Sequence, residues 1–233
     1  YSESTSSGAF TFTTPNAGTS GISGGFTLTT GTASNGDSGG FALSTGDATS
    51  GKSGSMLLKL GTGNTGHGGS FELDVGDTTG ANGDGGSITV TAGHSNDASG
   101  NHGGSIAITA GHTKGSETSD NGGSITVNAG LAATGNGGNI DISTGYSEST
   151  SSGAFTFTTP NAGSNGVSGG FKFSTGASTG GDSGSFSLTT GDAVNGKAGS
   201  MSLKMGTGNT GHGGSFELDV GDTTGANGDG GSI

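Results

Sequence analysis

Apolar residues recur along this chain in short alternating phrases. Phe71-Glu72-Leu73-Asp74-Val75 and Ile88-Thr89-Val90-Thr91-Ala92 are two of them. A period of two places alternate side chains on one face and predicts β-strands with one face turned inward. The inward pairs are Phe10/Phe12, Phe26/Leu28, Phe41/Leu43, Met56/Leu58, Phe71/Leu73, Ile88/Val90, Ile106/Ile108, Ile125/Val127 and Ile140/Ile142. Outward positions are polar except for Ala42, Leu57 and Ala107. Gly follows nearly every phrase, with Pro15 and Pro160 as the exceptions, and Gly-Gly or Ser-Gly precedes most. These residues mark turns at both ends of each phrase.

The phrases form a repeat at two levels. Their first apolar residues are Phe10, Phe26, Phe41, Met56, Phe71, Ile88, Ile106, Ile125, Ile140, Phe155, Phe171, Phe186, Met201, Phe216 and Ile233, spaced by 15 to 19 residues. The series restarts after 145 residues: "YSESTSSGAFTFTTPNAG" at 1–18 recurs letter for letter at 146–163, and residues 61–88 recur at 206–233. Residues 1–145 are therefore one long repeat of nine units, and residues 146–233 a second, truncated one. The stop at Ile233, inside a phrase that continues after Ile88, reads as a window from a longer repetitive protein.

One strand per 15 to 19 residues predicts an all-β fold, a parallel β-solenoid in which each unit is one coil stacked about 4.8 Å from the next. The segments between phrases offer mainly Ala, Ser, Thr and Gly. The expected cross-section is thus thin, with one sheet of large side chains closed by a run of small residues. No helix is expected, because Gly interrupts every candidate. A charge placed at Phe71 is expected to cost several kcal/mol, roughly the penalty for burying an unpaired polar group, while Glu72→Thr changes one outward position.

Composition then narrows function. The chain has 233 residues, 57 of them Gly, with 25% hydrophobic and 10% charged. Such a composition suits a disordered chain, but all eleven Phe and all three Met occupy the phrase positions, which disorder does not require. Net charge is −12 with six Lys and no Arg, which excludes the basic footprint of nucleic-acid binding. No apolar run is long enough for membrane insertion. Cys is absent, so neither disulfides nor thiol chemistry is available.

Candidate chemistry lies in the turns. Asp77, His94 and His112 fall in one column, with Asp97, Glu117 and Asp120 in the same long loops. His and carboxylate are competent ligands for a divalent metal such as zinc or copper. The competing reading is a solvated charge ladder, which a neighbouring column also suggests, with Asp37, Lys52, His67, Asp84 and His102 in successive units. No other cofactor is expected. Glu72 and Asp74 form an i, i+2 carboxylate pair, but they recur as Glu217 and Asp219 in the next long repeat, as a structural motif does. With no Arg, no Trp, and only Tyr1 and Tyr146, the chain lacks the machinery of a glycan-active enzyme, so no catalytic residue is assigned. Thr11/Thr13, Thr27/Thr29 and Thr89/Thr91 have the outward Thr-x-Thr spacing of an ice-binding face, but Lys59, Glu72, Asp74, Asp141 and Lys172 interrupt it. No Asn begins an N-x-[ST] sequon, so no N-glycan is expected, while outward Thr27, Thr29, Thr89 and Thr156 are open to O-linked sugar.

The phrase "GGS-I-x-I-x-[TA]-G" runs across essentially the whole chain. It resembles the Gly/Ser/Thr-rich repeats of large secreted proteins, those of algal extracellular matrix and flagellar-hair-like filaments and of bacterial fibrous adhesins. The resemblance implies an extracellular or cell-surface location and a fibre that self-associates or continues along its axis. The alternative it carries is the stalk or passenger of a cell-surface adhesin.

Overall fold

The computed structural model describes residues 6–96, 100–117, 119–224 and 229–232. Among them there is neither helix nor strand. The chain is coil-like, and the parallel β-solenoid of 15–19-residue coils expected from the period is not formed. The pairs expected to face inward are exposed instead: Phe71 keeps 64% of its surface and Phe12 73%, and no described residue is buried. The least exposed residues are Ala17, Ala92, Ala110, Ala132 and Ser147, none of which belongs to an inward pair.

The absence of a sheet has a physical reason. Parallel sheets persist where both faces are covered and water cannot compete for the backbone groups. Each unit here supplies a few large apolar side chains, two in most units, and then a loop of mainly small residues. That loop cannot reach over the apolar pair, so the phrase backbone stays in water. Gly at both ends of a five-residue phrase further weakens an extended conformation.

Local order nevertheless repeats. Two units group by contact, Tyr1–Gly123 and Ser124–Ile233. In the first, the Gly86, Gly104 and Gly123 N–H groups donate to the carbonyls of Gly76, Gly93 and Gly111 at 2.9, 2.8 and 2.8 Å. In the second, Gly138, Gly153 and Gly231 donate to Gly130, Gly145 and Gly221 at 2.9, 2.9 and 2.8 Å. Each acceptor ends one phrase and each donor introduces the next, so the bond closes the intervening loop as a clasp. Tight turns also recur at the 145-residue period. Gly21 N–H donates to the Gly18 carbonyl (3.4 Å) and Gly166 N–H to that of Gly163 (3.2 Å). Among the described residues, positive φ is confined to Gly66, Gly100 and Gly211 and to two Asn residues, Asn82 (66°) and Asn195 (64°), each followed by Gly. Asn tolerates this left-handed region better than other non-Gly residues.

The exposure of Phe71 reverses the expectation for its substitution. In the dissolved single chain, Phe71→Asp and Glu72→Thr should each change local stability by no more than about 0.5 kcal/mol, the range of surface substitutions. Amide hydrogen exchange around residues 69–76 is the check. A large increase in exchange for Phe71→Asp alone would show that the ring is packed.

Candidate functional site

Two features recur often enough to be the working parts of this chain: the glycine clasp and the open apolar rows. Each of the six clasp donors lies two residues before the first apolar residue of its phrase. That position is Gly in all fifteen units, from Gly8 to Gly231. At Gly24 and at five of the six clasp donors the structure supplies a reason. A methyl group added to Gly104 would lie 3.2 Å from the Gly93 nitrogen and 3.4 Å from Ala92 Cβ. At Gly231 it would meet Val220 Cβ at 3.2 Å, and at Gly24, Thr14 Cβ at 3.3 Å. At these glycines successive units therefore come too close together to leave easy room for a side chain. Gly8 and Gly69 are exceptions, with open space around them.

Apolar side chains from successive phrases lie side by side on the surface. Phe10 and Phe12 meet edge to face at 5.3 Å, and Phe12 reaches Phe26 in the next phrase at 5.6 Å. In the second unit the chain of rings is longer. Phe155–Phe157 (4.5 Å), Phe157–Phe171 (5.6 Å), Phe171–Phe173 (4.6 Å) and Phe173–Phe186 (5.9 Å) form one unbroken series. Between rows lie open clefts. One of about 300 Å³ is lined by Phe12, Thr13, Thr14 and Phe26, and one of about 540 Å³ by Leu58, Lys59, Leu60 and Phe71.

The turn residues are placed consistently but are not gathered. Asp77, His94 and His112 each directly follow a clasp acceptor, Gly76, Gly93 or Gly111, and all three are exposed. Tyr146 takes the same place after Gly145, as does Leu131, 98% exposed, after Gly130. Among the described residues, no group of three or more His, Asp or Glu side chains is positioned to hold a metal ion. Asp97 lies outside the described residues. Glu117 and Asp120 instead shape their own loop: Glu117 N–H donates to Asp120 Oδ2 (3.0 Å) and Asp120 N–H to the Glu117 carbonyl (3.0 Å). Glu72 and Asp74 are both exposed.

The chain matches no protein-family model, no curated protein and no solved structure. No helix among the described residues is long and apolar enough to cross a membrane. The clasp column is the feature that reading for side-chain chemistry misses. Its signal is a glycine at a fixed offset from every apolar phrase.

Proposed function

We propose that the chain is a structural segment of an extracellular fibre, working by self-association and not by catalysis. The observation that carries this reading is the apolar pair left open in unit after unit at nearly constant spacing. Soluble monomers rarely keep contiguous apolar patches larger than a few hundred Å² without a partner for them. The residues available for chemistry are exposed and dispersed, while the repeated ones are apolar rows and backbone clasps. Repetition at fixed spacing suits an object that extends in one direction. In this role the Asp and His residues after four of the six clasp acceptors, Asp77, His94, His112 and Asp222, provide a solvated charged border that keeps the chain soluble before assembly.

Electron microscopy of the purified chain, concentrated at neutral pH in moderate salt, tests the proposal. Elongated assemblies of uniform width are expected. A chain that stays monomeric at every concentration reached would overturn the fibre reading and leave that of an isolated stalk.

A further inference from the structure

We infer that the aromatic row of residues 155–188 is a lateral interface that pairs face to face with the same row on a second copy of this chain. This rests on the fibre reading and assigns to it a specific surface. The row is made by Phe155, Phe157, Phe171, Phe173 and Phe186, each in ring contact with the next along the series. All five are between 56% and 66% exposed. Leu188 follows Phe186 at the same two-residue step that separates Phe171 from Phe173, and is equally open.

Area argues for a protein partner of substantial size. With roughly 150–250 Å² for a whole aromatic side chain, the five rings present on the order of 600 Å². Leu188 and the next pair, Met201 and Leu203, extend this to about the 800 Å² per partner that a stable interface buries. Spacing argues that the partner is the chain itself. A second copy carries the same rows at the same intervals, so its rings can seat in the clefts between rows. Such a cleft is seen between Phe12 and Phe26, which occupy the places of Phe157 and Phe171 one long repeat earlier. A two-fold arrangement makes the contact self-complementary and closes the face, while the chain direction stays free for the fibre to extend.

Charge makes the proposal distinctive. Each copy carries −12, so two copies repel. Within the phrases of the row, the single interleaved charge is Lys172. Pairing is therefore apolar contact working against net repulsion, and added salt strengthens it by screening. Pairing through ion pairs responds in the opposite direction.

Sedimentation equilibrium of the full 233-residue chain is the test, with the wild type compared to a Phe157→Ser, Phe173→Ser double variant and a Thr156→Ala, Ser187→Ala control. The wild type and the control should associate, more tightly at high salt. The double variant should lose association by roughly a hundredfold, as when central aromatic anchors are removed. Hydrogen exchange at the Gly153 amide, held by the Gly145 carbonyl, should be the same in all three and reports that local structure is intact. If the wild type associates and the double variant does so equally, the face assignment is wrong while the fibre reading stands. A wild type that never associates removes both. A monomeric wild type that floats with phosphatidylcholine vesicles, and releases them on the double substitution, would show the row to be a lipid contact and overturn the pairing.

Discussion

Replacing Gly104 by valine should open the loop between residues 93 and 104, whereas Gly103→Ala should leave it closed. The two glycines are neighbours, but they meet different surroundings. A Cβ on Gly104 comes within 3.2 Å of the Gly93 nitrogen and 3.4 Å of the Gly93 oxygen, the acceptor of its own N–H bond. Both atoms are backbone and cannot turn aside as a side-chain end can. A Cβ on Gly103 comes no closer than 3.8 Å to the Gly93 oxygen, an ordinary contact. The valine must lengthen or break the clasp, and a single backbone hydrogen bond contributes on the order of 1 kcal/mol net. The 103–105 amides should therefore exchange roughly tenfold faster, with the closed loop after Gly111 unaffected, because each clasp is local. Equal exchange in the two variants would mean that the clasp does not hold the loop.

A second large effect concerns pH. Assembly should be most extensive near pH 4.4, where the chain is close to neutral, and weaker on both sides. At pH 7 the chain carries −12, and the repulsion between copies opposes contact of the apolar rows. As pH falls, carboxylates protonate and this repulsion fades. Further acidification leaves the six Lys and five His positive, and repulsion returns with the opposite sign. The concentration at which light scattering first rises should drop by roughly tenfold between pH 7 and the neutral point, since proteins near zero net charge associate most readily. A steady change through that point without an extremum would show that specific carboxylates, not net charge, govern assembly.

The units, their spacing and their ends can be read from the letters, because they depend on local periodicity and turn chemistry. The alternation in Phe71–Val75 marks which side chains share a side, and the ring contact of Phe155 with Phe157, two residues apart, agrees with that much. What the alternation cannot supply is the cover. Period two says that a face is apolar, not that anything lies over it, and here the Ala, Ser and Thr of the loops are too small to do so. Burial of Phe71 and its equivalents requires a layer that the chain does not contain. The clasp is within reach of sequence reading: Gly86, Gly104 and Gly123 stand two residues before Ile88, Ile106 and Ile125 as regularly as the phrases themselves recur. As turn punctuation alone, these glycines do not reveal why the offset is fixed. At Gly86, Gly104, Gly123, Gly138 and Gly231 its cause is a steric approach between units, which a property of single residues does not express. The loop residues Asp77, His94 and His112 share a position relative to the clasp, and this is what their column in the sequence reflects.

In this structure six of the units are closed by glycine-to-glycine hydrogen bonds and the apolar rows are left open. Because donor and acceptor are both glycine at six clasps, a chain labelled with ¹⁵N and ¹³C-carbonyl only at glycine reports them directly through scalar coupling across the hydrogen bond. Couplings are predicted from Gly86 to Gly76, Gly104 to Gly93, Gly123 to Gly111, Gly138 to Gly130, Gly153 to Gly145 and Gly231 to Gly221. A dissolved chain with none of these couplings, and with slow amide exchange running continuously through 71–75, 88–92 and 106–110, would contradict the clasped, open-faced arrangement.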